Sequence, residues 1–308
     1  MDFQEIQIKV NTLKAELNQL GENDFTLYNN IKTEITSLQA EAMKIITPWD
    51  RVCLARDVNR PRAMEYIRSI FDDFIELHGD YLFADDEAVV GGLATLDKYN
   101  VTVIAQAKGK TLNENIKRNF GSANPEGFRK AKRLALQAEK FNRPIITIID
   151  TSGAYPGRGA EERGQSRAIA EDIELFSSLT VPVIAIVIGE GGSGGALALS
   201  VANKIYMLEN AIYSILSPEG FASILYKDPS LYKESANKMG LTSYDLKDKG
   251  IVDEIIKEGA SGINDNFRII IEELKTKLIA DLKFYKKIDG SKIRDARYEK
   301  FRKIGTNI

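Results

Sequence analysis

Residues 183–202 read Val-Ile-Ala-Ile-Val-Ile-Gly-Glu-Gly-Gly-Ser-Gly-Gly-Ala-Leu-Ala-Leu-Ser-Val-Ala, and no other stretch limits the possible folds of this chain so severely. Val183 to Ile188 is an unbroken apolar run rich in β-branched residues, the pattern of a strand buried on both faces. Five glycines then fall within the seven positions Gly189 to Gly195, and small apolar residues suited to a closely packed helix follow from Ala196. A turn so poor in Cβ atoms lets a ligand touch the backbone itself. The N–H groups of a helix's first turn have no partners within the helix and attract negative charge. The stretch therefore predicts a strand, a glycine turn and a helix start that together bind an oxyanion.

The unit occurs twice, 38 residues apart. Pro144 to Ile149 is an earlier buried strand, Asp150-Thr-Ser-Gly-Ala-Tyr-Pro-Gly157 its turn, and a helix is expected from about Gly164 to Ser178. Ala88 to Leu96 and Val101 to Ala107 read as a hairpin joined at Lys98-Tyr99-Asn100. Ile205 to Leu208 and Ile212 to Leu216 read as short strands, with Ser217-Pro218-Glu219-Gly220 as a third turn. Strands alternating with helices at this pitch indicate α/β layering.

The two ends differ from this middle. Ile6, Val10, Leu13, Leu17 and Leu20 step by fours and threes, a heptad seam. Gly21 and Asn23-Asp24 interrupt it, with Asp24 placed as an N-cap, before Ile31, Ile35, Leu38, Ala42 and Ile45 resume the stepping. A helical hairpin is expected over residues 1–47, ended by Thr47-Pro48-Trp49, its stripe serving either to close the hairpin or to dock on a partner. Asn59-Arg60-Pro61 opens a further helix with Tyr66, Ile67, Ile70, Phe71, Phe74 and Ile75 on its apolar face. Residues 263–303 revert to charged helix.

Composition removes several classes of function. A formal net charge of −2 argues against broad electrostatic binding of nucleic acid. Cys53 is the only cysteine, which excludes an internal disulfide and any cysteine-based zinc site. The opening Met-Asp-Phe-Gln-Glu lacks the features of a signal peptide, and no apolar stretch reaches the roughly 18 residues of a membrane span. A cytoplasmic enzyme or enzyme subunit is expected. His78, the single histidine, reads as structural. Lys108, Lys110, Lys117, Arg118, Arg129, Lys130, Lys132 and Arg133 crowd one region, as a solvated surface or as a site for a phosphate-bearing ligand. Asn124-Pro125-Glu126 within it starts a helix whose face carries Phe128, Leu134, Ala135, Ala138 and Phe141.

Three familiar patterns overlap in the central turn. Gly189-x-Gly191-x-x-Gly194 matches the dinucleotide fingerprint, with Glu209 twenty residues on, but it lies deep in the chain behind a comparable unit. Gly191-x-Ser193-x-Gly195 matches the nucleophile elbow, yet His78 precedes the serine, so only a lysine base is conceivable. A phosphate-binding P-loop needs Gly-Lys-Ser/Thr, and Gly195 is followed by Ala196-Leu197. What remains is a site made of main-chain amides at the ends of two adjacent strands. Each such donor to a developing oxyanion is worth about 3–4 kcal/mol, and no protein base is needed where the substrate supplies its own.

Asp150 to Gly157, Ala160-Glu-Glu-Arg-Gly-Gln165, Ile188 to Ala196 and Ser217-Pro-Glu-Gly220 together resemble the α-subunit type of the bacterial acetyl-CoA carboxylase carboxyltransferase family. Arg118-Asn-Phe-Gly121 and Pro125-Glu-Gly-Phe-Arg-Lys130 fit the same family, and the resemblance covers essentially the whole chain. It implies an α/β crotonase-like spiral of ββα units, here residues 51–262, between an N-terminal helical hairpin for subunit association (1–50) and a helical C-terminal extension (263–308). It implies transfer of a carboxyl group from carboxybiotin on a biotin carboxyl carrier protein to acetyl-CoA, giving malonyl-CoA. It also implies an α2β2 assembly working with biotin carboxylase, with zinc on the β subunit only and biotin received mainly on the α side.

Carried over by position, Gly194 and Gly195 offer N–H groups to the oxyanion, with Gly153 and Ala154 as the second source of donors. Tyr155, Pro156 and Gly157 would shape the wall near biotin, and Gly191, Gly192 and Ser193 complete the substrate-binding turn. The chain departs from the family where a Gly-Gly-Ala-His-like stretch is usual: Glu258-Gly-Ala-Ser-Gly-Ile-Asn264 has no histidine. Ser152, where proline is common, is a milder change. Three alternatives remain. A crotonase-like hydratase or isomerase would need Glu190 or Glu161 as acid–base, and a hydrolase would use Ser193. A non-enzymatic scaffold for a catalytic partner is also compatible with the hairpin.

Overall fold

The computed structural model describes residues 1–20 and 25–306. Two helices open the chain, α1 (Phe3–Gln19) and α2 (Phe25–Ile45). Asp2 accepts the Glu5 N–H at 2.8 Å while Glu5 accepts that of Asp2 at 2.9 Å, a reciprocal cap that fixes where α1 begins. Phe3, Ile6 and Val10 meet Ile31, Ile35, Leu38 and Ala42 in a core of their own, so the stepped stripe closes the hairpin. Ile45, at its end, is exposed. The expected cap Asp24 lies outside the described residues.

Thr47 ends the hairpin by capping α3 (Pro48–Arg56), whose Asp50 returns the hydrogen bond. Helix α4 (Ala63–Ile70) is shorter than its periodicity predicts. Asp73 takes φ 49°, and Asp72–Glu76 becomes strand β1 paired with the next strand. Phe74 and Ile75 therefore lie in a strand, because sheet pairing satisfies their backbone and Asp72-Asp73 disfavours helix. Strands β2 (Val89–Leu96) and β3 (Tyr99–Gln106) form the expected hairpin, in unbroken register from Val89↔Gln106 to Leu96↔Tyr99. The turn falls at Asp97-Lys98, where Asp97 accepts φ 55°, and Tyr99 and Asn100 belong to the strand.

Helix α5 (Leu112–Lys117), a 3-10 turn and α6 (Pro125–Lys140) lead to β4 (Ile145–Thr151). Phe141 caps α6 and is exposed, whereas Phe128, Leu134, Ala135 and Ala138 are buried as expected. Then come α7 (Arg158–Glu162), α8 (Gln165–Ser178), β5 (Val183–Gly192), α9 (Ser193–Leu197), β6 (Lys204–Leu208) and β7 (Ile212–Ser214). The chain continues through α10 (Pro218–Leu225), α11 (Tyr232–Met239), α12 (Ser243–Asp248), β8 (Glu254–Ile256), α13 (Gly262–Tyr285) and α14 (Gly290–Lys303).

The strands form one sheet in the order β1-β2-β3-β4-β5-β6-β8, with β7 paired to β5 beyond the end of β6. From β3 onward every neighbour is parallel. Helices cover such a sheet on both faces, which is why β4 is buried throughout and β5 over all but its last residue. Burying each Ile or Val of these runs is worth about 1.5–3 kcal/mol. Strand β5 extends further than its apolar run predicts. Glu190, Gly191 and Gly192 pair with Ile212, Tyr213 and Ser214, so the first glycines are strand and the helix starts at Ser193 rather than Ala196.

The charged C-terminal helices are tied to this core. Ile270, Ile271, Leu274, Leu278 and Leu282 of α13 join the main apolar cluster. Arg297 of α14, 1% exposed, donates to the carbonyls of Phe176, Leu179 and Val181 and to Asn203 Oδ1. It thereby satisfies the end of α8 and the approach to β5.

Candidate functional site

Both glycine turns leave the same end of the sheet from neighbouring strands. Strands β4 and β5 pair in register to Ile149↔Val187, and the register then shifts so that Thr151 meets Gly191. Extra residues on the β5 side carry Gly192 alongside Ser152, where a Cβ would overlap the Ser152 carbonyl. A Cβ on Gly195 would meet the Ala154 nitrogen and the Gly153 carbonyl carbon. The two turns touch backbone to backbone, and this contact is what requires glycine at both positions. Gly153 takes φ 139° and Ser193 φ 53°, a conformation sparsely used by non-glycine residues and concentrated at functional sites.

A cavity of about 380 Å³ opens against these turns. Gly153 and Ala154 of the first and Gly191, Gly192, Ser193, Gly194 and Gly195 of the second line it, with Ile169, Ile215 and Leu216 as an apolar wall. Tyr155, Pro156 and Gly157 are not part of its lining; Tyr155 folds back over Gly157 and is partly exposed.

The donors are not equivalent. Ser193, Gly194 and Gly195 are the first three residues of α9, positions whose N–H groups have no acceptor within a helix. Helix α9 has only five residues, so local N–H groups, not a long helix dipole, would carry the interaction. The Gly153 N–H already donates to Thr151 Oγ1 at 3.0 Å. Ala154 N–H, by contrast, makes no hydrogen bond among the described residues, and it is the free donor of the first turn. Two glutamines hold the turns from behind. Gln165 Nε2 donates to the carbonyls of Ala123 and Tyr155, at 2.8 and 3.0 Å, and Gln106 Nε2 donates to that of Gly195 at 2.6 Å.

An ionic network reaches the cavity through Arg56 and Glu190, which line it. Glu190 receives Arg56 Nε at 2.8 Å and Lys108 Nζ at 2.5 Å, while Asp150 receives Lys108 at 3.2 Å and Arg62 at 3.2 Å. Burial raises the Glu190 carboxyl, but Lys108 and then Arg56 outweigh it and hold it below the usual range. A carboxylate fixed between two cations is a poor proton shuttle. Glu161, the other acid a hydratase would need, is exposed on α7 and outside the lining. His78 is likewise outside it, exposed and bonded to Asp85 at 2.8 Å.

Much of the basic stretch is internally neutralised. Arg129 meets Asp80 and Glu126, Lys130 meets Asp85, Lys132 meets Glu171, Lys110 meets Glu65, and Arg118 and Arg133 bond main-chain carbonyls. Arg56 and Gln106 were not legible as site residues, since their partners stand far away in sequence, while Lys108 was named only within the basic stretch and Gln165 only within a family-like motif. Asp150, a charged residue closing an apolar run, was the one such signal.

Residues 1–305 match the family described as acetyl co-enzyme A carboxylase carboxyltransferase-like. A Clostridium botulinum (strain Eklund 17B / Type B) protein named acetyl-coenzyme A carboxylase carboxyl transferase subunit alpha is 55% identical over 266 residues, which are 86% of this chain and 97% of that one. A Staphylococcus epidermidis (strain ATCC 12228) protein of the same name is 49% identical over 315 residues, covering 100% and 99%. Among solved structures, transcarboxylase 12S with methylmalonyl-coenzyme A and methylmalonic acid bound superposes with a TM-score of 0.57 at 20% identity, over 71% of this chain and 43% of that one. A Pseudomonas malonate decarboxylase hetero-tetramer in complex with coenzyme A superposes at 0.56 and 19% identity, over 69% and 85%. The chain thus spans less than half of the transcarboxylase chain, and these likenesses establish the crotonase-like α/β fold.

Proposed function

The chain belongs to the acetyl-CoA carboxylase carboxyltransferase family, and from that membership we infer that it is the alpha subunit that transfers the carboxyl group of carboxybiotin to acetyl-CoA, forming malonyl-CoA. One observation carries the assignment of the site: two glycine turns in backbone contact line a single cavity with main-chain donors. Loss of CO2 from carboxybiotin leaves a ureido anion able to take a proton from the acetyl methyl group, whose carbanion then bonds to CO2. Negative charge appears on a carbonyl oxygen at each stage. In this reading the N–H groups of Gly194 and Gly195, together with that of Ala154, receive such an oxygen, each donor contributing about 3–4 kcal/mol. Gly153 shapes the turn instead of donating, since Thr151 occupies its N–H. Ile169, Ile215 and Leu216 offer the apolar surface suited to a biotin ring.

The site as it stands is half of an active centre. Ile215 at its rim is 81% exposed, in keeping with cover by a β subunit that brings acetyl-CoA and the zinc. The working assembly is α2β2, served by the biotin carboxyl carrier protein and biotin carboxylase, in the cytoplasm. Among the described residues no helix is long and apolar enough to cross a membrane. Residues 1–50 serve subunit association, 51–262 the transferase core, and 263–308 extend it. The test is malonyl-CoA formation from carboxybiotinyl carrier and acetyl-CoA, by this chain alone and with its zinc-bearing partner. Activity only in the mixture supports the reading. Turnover by the chain alone, or by neither, removes it.

A further inference from the structure

Gln106 closes β3 fully out of solvent, and its amide Nε2 donates to the Gly195 carbonyl at 2.6 Å. Strand β4 lies between β3 and β5, so this bond spans the strand that carries the first turn in order to hold the second. Helix α9 makes no use of that carbonyl. Ala198 N–H donates to Gly194 and Leu199 N–H to Ala196, because the helix tightens as it ends. Without Gln106 the Gly195 carbonyl would be a buried acceptor with no partner. Gly195 is thus located from two sides, by contact with Gly153-Ala154 and by the hydrogen bond from Gln106.

We propose that Gln106 is a positioning residue for carboxyl transfer: by holding the Gly195 carbonyl it sets α9 against the first turn, and so sets the separation between the two groups of N–H donors. It touches neither substrate nor reacting atoms. The proposal rests on the oxyanion reading above. Preorganised donors stabilise a transition state only where the developing charge will sit, so a small displacement of α9 lowers kcat and leaves ground-state binding nearly intact. Gln106 Oε1 has no partner among the described residues, so only the donating half of the amide is used. A glutamate in its place can donate only while protonated.

The assay uses the assembled α–β transferase with carboxybiotinyl carrier and acetyl-CoA. Gln106→Met should lower kcat by about 10–100-fold with both KM values within about twofold of wild type. For Gln106→Glu, kcat relative to wild type at the same pH should rise as pH falls, since ionisation replaces a donor by a charge facing a carbonyl. A Gln106→Met enzyme with wild-type kcat and only a lower melting temperature overturns the proposal, as does a Gln106→Glu ratio that is flat with pH. Should Gln106→Met not fold, the isosteric Gln106→Glu carries the test alone. Gly195→Val separates the two levels. If it turns over normally the oxyanion reading falls; if it is inactive while Gln106→Met is not, only the positioning role falls.

Discussion

Gly195 and Ala154 approach so closely that a Cβ on Gly195 would stand 2.6 Å from the Ala154 amide nitrogen. The obstacle is backbone, which cannot rotate aside as a side chain would. Gly195→Val should therefore push α9 off the first turn and lower carboxyl transfer by at least about 100-fold. The complex with the proposed β subunit should still elute as one species on gel filtration, because Gly195 itself is buried. Malonyl-CoA formation by that complex at the wild-type rate would contradict the expectation.

Ser193 occupies the serine position of an elbow-like turn, with φ 53°, but among the described residues no histidine or lysine lines its cavity. His78 is outside the cavity lining and held by Asp85, and both nearby cations are committed to carboxylates, Lys108 to Glu190 and Asp150, Arg56 to Glu190 and Glu219. A fluorophosphonate probe should leave Ser193 unlabelled under conditions that label a serine hydrolase, as read by peptide mass spectrometry. Stoichiometric labelling there would restore the hydrolase reading.

Glu258 begins the loop that departs from the family pattern, and it is spent on structure. It forms a two-point pair with Arg60 at 2.6 and 3.1 Å, both side chains buried, and accepts the Asn210 N–H as well. Arg60 in turn donates from Nε to the Ile188 carbonyl in β5. Glu258→Gln leaves a buried guanidinium without its counter-charge and should cost about 3–5 kcal/mol in urea unfolding. An unchanged midpoint would show that the pair is dispensable.

Asp172 of α8 is fully buried and among the described residues neither carboxylate oxygen has a hydrogen-bond partner, so burial pushes its carboxyl well above the ordinary range. The sign follows from proton linkage. At low pH the group is protonated in the folded and unfolded chain alike. As pH rises past the unfolded value the unfolded chain gains by ionising, and stability declines until the folded pKa is passed. Asp172→Asn should therefore melt higher than wild type at pH 8, with an advantage that shrinks as pH is lowered towards about 4. A pH-independent difference would mean that the carboxyl has found a partner.

The glycine turns were legible because their chemistry is local. An apolar β-branched run followed by Gly189 to Gly195 allows few conformations besides strand, turn and helix start, and Asp150 to Gly157 repeats the logic. Periodicity misleads where strand pairing competes with it. Phe74 and Ile75 continue a helical face on paper, yet they join β1, since β2 offers their backbone a sheet edge. Gly191 and Gly192 likewise read as turn until β7 supplies their partners. Tyr155, Pro156 and Gly157, expected at the biotin wall by resemblance, follow Ala154 but lie outside the lining of this cavity.

By itself the sequence determined the layered α/β class, the two N-terminal helices and the two backbone-lined turns, all properties set by neighbours within about one element's length, whereas the packing of Ile6 and Val10 on Ile31 and Ile35 closed the hairpin. Only the tertiary structure decided which donors stay free and what holds them. Thr151 takes the Gly153 N–H, leaving Ala154 as donor, while Gln106 and Lys108 reach groups brought beside them only by strand order and Arg56 reaches Glu190 from α3. Hydrogen bonds and ion pairs between distant residues carry no period in sequence, because their geometry exists only once the sheet has been assembled.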